Sequence, residues 1–149
     1  MKTAYRVLAF LIAAVVVIQA AAIGYGVFAQ MKFLDGGGTL DKAAFDTNAP
    51  GTGALIYHAL EGYATLLVAL ALLVVSFFAK IPQGVKWAVF VLVATFVQIA
   101  LGALSHMLAA IGALHGAAAL ILFGLAVTAA MRARKPAAVE EAPATAPVA

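Results

Sequence analysis

The sequence contains no cysteine. That excludes a disulfide framework, a thiolate metal site and a haem attached covalently through thioethers. Charge is nearly as scarce, with 10% of 149 residues charged against 66% hydrophobic. A soluble domain of this length has no core large enough to hide so much apolar surface, so composition predicts a membrane protein. Also missing are a nucleotide-binding glycine loop, a hydrolase nucleophile elbow and a zinc-protease helix motif, which argues against an independently acting soluble-type enzyme. The net charge of +3 follows from where a membrane topology puts its basic residues, so no nucleic-acid partner is expected.

Four apolar runs are long enough to cross a hydrocarbon layer of about 30 Å, which takes about 20 helical residues. The sequence predicts helices over about 5–28, 54–79, 86–106 and 110–131, a single transmembrane domain over 1–135. Their bounds are breakers and charges, such as "KIPQG" after the second run and "RARKP" after the fourth. Lys2, Arg6, Lys80, Lys86, Arg132, Arg134 and Lys135 fall on one side and only Lys32 and Lys42 on the other, which places both termini in the cytoplasm. Short connections then favour an all-α, up-down-up-down four-helix bundle. The expected location is a bacterial or archaeal cytoplasmic membrane.

The first run has the basic start and alanine-rich end of a secretory signal, but its apolar stretch from Val7 is longer than a signal core, and a retained helix is expected. The Pro/Ala-rich segment 136–149 lacks the apolar content to fold and is expected to be a disordered cytoplasmic tail. In the loop from Gln30 to Gly53 the acidic spacing is wrong for a calcium-binding hand, and "DKAAF" suggests one short helix. Tyr5, Tyr57 and Trp87 read as interfacial aromatics.

Each span carries one stripe of polar or small residues at helical spacing. The second has His58, Glu61, Gly62, Thr65, Ala69 and Ser76; the third has Thr95, Gln98, Gly102 and His106; the fourth has Gly112, His115, Gly116, Ala119 and Ala126. The first contributes Gln19, Ala22 and Gly26. Polar groups are costly in hydrocarbon, so these stripes should face one another. Measured from the basic ends of their helices, His58, His106 and His115 all lie in the outer half of the membrane, about 25 to 33 Å away at 1.5 Å per residue.

Two neutral imidazoles on facing helices can take both axial positions of a haem iron, and Gly62, Gly102, Gly112 and Gly116 would leave room for the macrocycle. The second and fourth spans are diagonal in an up-down bundle, so His58 and His115 are the preferred metal ligands. His106 is the substitute ligand or a partner for a propionate. Gln19 and Gln98 are expected to donate hydrogen bonds between helices, and Glu61 either moves protons beside the centre or pairs with His58 one turn away.

"IYHALEGYATLLVALALLV", followed by "FVQIALGAL" and "ALHGAAALILFGLAV", resembles one half of the heme A synthase fold over about residues 5 to 131. In that superfamily, histidines near the outer ends of the second and fourth helices bind a b-type haem, and compact four-helix members exist. The resemblance implies haem b on His58 and His115 only, with a role for Glu61 in proton movement beside it; His106, Gln98, Gly62, Gly102 and Gly116 are placed around that site by the stripes themselves. Leu55 and Ala59 stand where the family's catalytic half carries Glu and Arg, so heme A synthesis does not carry over.

The leading expectation is thus a b-type cytochrome in electron transfer or haem handling, with a quinone or a respiratory complex as its partner beside the lipid bilayer. Two other classes use the same residues: a proton-linked transporter component working through Glu61, and a cofactor-free assembly or structural subunit whose small-residue stripes provide helix contacts, within an oligomer or a larger complex.

Overall fold

The computed structural model describes residues 1–46 and 48–134; the predicted tail lies outside them. The chain is all-helical among these residues, in the order α1 (Lys2–Asp35), α2 (Lys42–Asp46), α3 (Thr52–Ala79), α4 (Gly84–Ser105) and α5 (Ala109–Arg132). All but α2 are long and apolar enough to cross a membrane. The expected spans are present, and "DKAAF" does start a short helix, with Asp41 Oδ1 accepting from the Ala44 N–H at 2.8 Å in a side-chain cap.

The first helix runs well past its expected end at residue 28. Its 34 residues measure about 51 Å, longer than the hydrocarbon layer. Nothing in "FAQMKFLD" breaks a helix, and α1 stops only at the glycines that follow, with Gly37 at φ 87°. Between α3 and α4, "KIPQG" reverses the chain through Lys80 and Gln83, both in the left-handed region.

Each long helix packs on two others: α1 and α4 both lie against α3 and α5. Tyr5 on α1 donates to the Gly84 carbonyl at the start of α4 at 2.9 Å. At the far end, α1 and α3 cross closely at Gly26 and Gly51. A Cβ on Gly26 would sit 2.7 Å from Leu55 Cδ2, and one on Gly51 would run into the Gly26 carbonyl oxygen. Glycine is required at Gly51, by the close approach and by its φ of 89°, whereas a methyl at Gly26 would displace the end of the Leu55 side chain.

Burial is uneven along the bundle. Toward the end carrying Tyr5 and Gly84, α1 contributes Tyr5, Ala9 and Ile12, α3 contributes Ala69 and Leu72, α4 contributes Ala88 and Val91, and α5 contributes Ala126, Ala129 and Ala130; all are fully buried. Small residues let the backbones approach where lipid offers no competing hydrophobic drive. Tyr5 corrects the sequence reading. It is no interfacial aromatic but one of the largest fully buried side chains, with its hydroxyl bonded across the bundle. Trp87 does sit near the helix start, beneath the Arg132 guanidinium at 4.6 Å from the ring centroid.

Candidate functional site

The other half of the bundle holds polar side chains where the first half holds alanine and leucine. Thr65 and Thr95 mark the boundary, both buried, with Thr95 Oγ1 donating to the Val91 carbonyl within its own helix at 2.8 Å. Beyond them lie Gln19, His58, Glu61, Gln98 and His115, all half-buried.

His58 and His115 face one another. Their ring centroids are 5.9 Å apart with an interplanar angle of 78°. They come from α3 and α5, each packed mainly on α1 and α4, so the pair spans the middle of the bundle.

Neighbouring elements orient the two rings differently. His115 Nδ1 lies 2.9 Å from the backbone carbonyl of Gln98, an arrangement that puts the proton on Nδ1 and makes Nε2 the acceptor. The Gln98 amide donates to the His115 carbonyl at 2.9 Å, and its nitrogen also stands 3.4 Å from His115 Nε2. Gly102, one turn along α4 from Gln98, backs the ring: a Cβ there would lie 3.2 Å from His115 Cε1 and 3.3 Å from Nδ1. His58 has no such anchor. Its Nδ1 is buried and without a hydrogen-bond partner, and so are Gln19 Oε1 and Gln98 Oε1.

Glu61 sits one turn along α3 from His58 but turns elsewhere. Gln19 Nε2 on α1 donates to Glu61 Oε2 and, at 3.2 Å, to the His58 carbonyl. Thr65 Oγ1 lies 3.0 and 3.1 Å from the two carboxylate oxygens. Of the two roles open to Glu61, the pairing with the His58 ring gives way to a tie between α1 and α3. Gln19 and Gln98 both make the interhelical bonds the sequence suggested.

The predicted glycines separate into different roles. Gly62 and Gly116 face open space, with nothing within 4 Å of a would-be Cβ, while Gly112 would only touch Ser105 Cβ at 3.6 Å. Gly102 seats an imidazole rather than leaving a void. His106 lies apart from the pair: α4 ends at Ser105, whose Oγ donates to the Gly102 carbonyl at 2.6 Å, and His106 is exposed in the turn that follows.

Among the described residues no three His, Asp or Glu side chains converge as a metal cage would require. Two imidazoles are the donor set at hand. No family model, curated protein or solved structure matches this chain.

Proposed function

We propose that the protein is a membrane b-type haem protein in which His58 and His115 would hold the iron, serving electron transfer or haem handling. The observation that carries this reading is the separation of the two rings. The two rings reach the middle of the bundle from facing helices, with centroids 5.9 Å apart, so that His58 and His115 would hold one iron between them.

The surroundings support the same reading. His115 carries the partner on Nδ1 that metal-bound histidines use to fix ring orientation and tautomer. His58 Nδ1 is an orphaned buried polar atom in a layer where such atoms are costly. The open flanks at Gly62 and Gly116 lie one residue or one turn from the two histidines. The Gln98 amide next to His115 Nε2 already has a better acceptor in the His115 carbonyl, so withdrawing it from the ring costs little. A bound haem would supply a one-electron redox centre in a polar pocket lined by apolar helices.

In this reading the bundle is up-down-up-down with both termini cytoplasmic, as the basic residues suggest, and the histidine pair lies in the outer half of the membrane. Glu61, held between Gln19 and Thr65, is the acid nearest the pair along α3, placed to compensate charge there. A second reading draws on the mutual bonds of Gln98 and His115: a cofactor-free bundle in which the imidazoles form an edge-to-face pair and the amides act as glue. The reduced-minus-oxidised absorption spectrum of detergent-purified protein from haem-sufficient cells separates the two. Haem ligation requires a Soret band that shifts on reduction; the cofactor-free bundle is colourless.

A further inference from the structure

The bundle has a second polar feature at its opposite end, unconnected with the histidines. A half-open cleft of about 400 Å³ lies between the start of α1 and the end of α5, lined by Lys2, Thr3, Arg6, Ala133 and Arg134. Among the described residues, three of the five that line it are cations and none is acidic. Among the described residues Lys2, Arg6 and Arg134 have no ion pair, although Lys2 and Arg6 are one helical turn apart, a like-charge spacing that is unfavourable unless an anion lies between them. The first turn of α1 adds no acid and no side-chain cap, so its positive end faces the same space.

The face below the cleft is apolar. One turn on from Thr3 is Val7, 57% exposed, and one turn on from Arg6 is Phe10, whose ring lies 5.7 Å under the Arg6 guanidinium. On α5 the exposed Met131 receives Arg134 through its sulfur. A ligand filling this cleft thus meets cations at its head and hydrocarbon directly beneath, at the level where a membrane-spanning helix leaves the acyl layer. At the same end Arg132 lies over Trp87 and Lys86 over Phe90, and neither is among the residues that line the cleft.

We infer that this cleft is a binding site for an anionic phospholipid, with the headgroup phosphate between Lys2, Arg6 and Arg134 and the acyl chains against Val7 and Phe10. A volume of about 400 Å³ fits a glycerophosphate headgroup within the range of small-ligand sites. Basic pockets between membrane helices are suited to such headgroups.

The test uses the full chain, reconstituted with phosphatidylcholine and a minor share of phosphatidylglycerol, released into detergent and weighed with its retained lipids by native mass spectrometry. Wild-type protein should retain phosphatidylglycerol in preference to phosphatidylcholine. R6Q/R134Q should lower that retention by about 25-fold, about fivefold for each charge removed. K80Q/K86Q, which removes the same charge from the same end outside the cleft, should leave it unchanged. Equal losses in both variants would reduce the effect to diffuse surface charge and overturn the site. Binding of inorganic phosphate alone, with displacement of the lipid at millimolar concentration, would make the ligand a soluble phosphate and overturn the lipid assignment. Arg134 is exposed beyond the end of α5, so R134Q alone leaves packing intact and repeats the test at about fivefold if the double variant misfolds.

Discussion

His58 and His115 meet ring to ring, 5.9 Å apart, although they stand on α3 and α5, whose main packing partners are α1 and α4. A contact across the diagonal of a four-helix bundle needs long side chains reaching inward at one level from both helices. The apolar half of the same bundle closes with alanines instead. The chain therefore changes its mode of packing at Thr65 and Thr95, and the polar half is held open by side chains that have something to reach.

Gly102 is the residue on which the His115 ring rests. Gly102→Ala should push the imidazole aside, because the new methyl would stand 3.2 Å from Cε1 and 3.3 Å from Nδ1 while the Gln98 carbonyl, one turn away on the same helix, holds Nδ1 in place. The expected result is a bundle of unchanged helicity with weakened haem retention. Gly62→Ala enters open space and should raise the stability of the cofactor-free protein by about 0.5–1 kcal/mol through helix propensity. Thermal unfolding followed by circular dichroism, alongside haem content, checks both.

The Gln19 and Glu61 side chains tie α1 to α3 within the membrane. Interhelical hydrogen bonds there contribute about 0.6 kcal/mol on average and about 1.7 at most. A double-mutant cycle of Gln19→Ala and Glu61→Ala should give a coupling in that range, measured by unfolding in mixed micelles. Full additivity of the two losses would show that the pair contributes nothing.

Tyr5 is a packing residue with a polar tip. Tyr5→Phe should cost about 1 kcal/mol, as the buried Gly84 carbonyl loses its cross-bundle donor, while Tyr5→Ala should cost about 3–5 kcal/mol through the cavity it leaves. If Tyr5 only anchored the helix at the interface, both variants would unfold like the wild type.

Hydropathy made the four spans legible, because twenty apolar residues in a row have few other solutions. The end of α1 was not legible: a helix above the membrane stops where its backbone does, at the glycines after Asp35, not where hydrophobicity fades. The stripe of His58, Glu61 and Thr65 was visible as a spacing, yet spacing alone could not aim Glu61 at Gln19 instead of the His58 ring, since both lie within reach of a glutamate. Likewise, the diagonal of the bundle favoured His58 and His115 but left His106 as a substitute. What spacing could not show is local: α4 terminates at Ser105, which leaves His106 in the turn, while the Gln98 backbone carbonyl reaches across to orient His115. Tyr5 carried no signal beyond its chemistry, and an aromatic one turn into a span is the same letter whether it anchors the surface or fills the core.

The central claim is that one iron is shared by His58 and His115, and low-temperature electron paramagnetic resonance of the oxidised protein tests it most directly. The wild type should give the low-spin signal of a six-coordinate haem with two imidazole ligands, His58→Ala and His115→Ala should each convert it to a high-spin signal or lose haem, His106→Ala should leave it intact, and the double variant His58→Ala/His115→Ala should hold no haem. Protein that is haem-free when purified from haem-sufficient cells, or a low-spin signal that survives loss of both histidines, would contradict it.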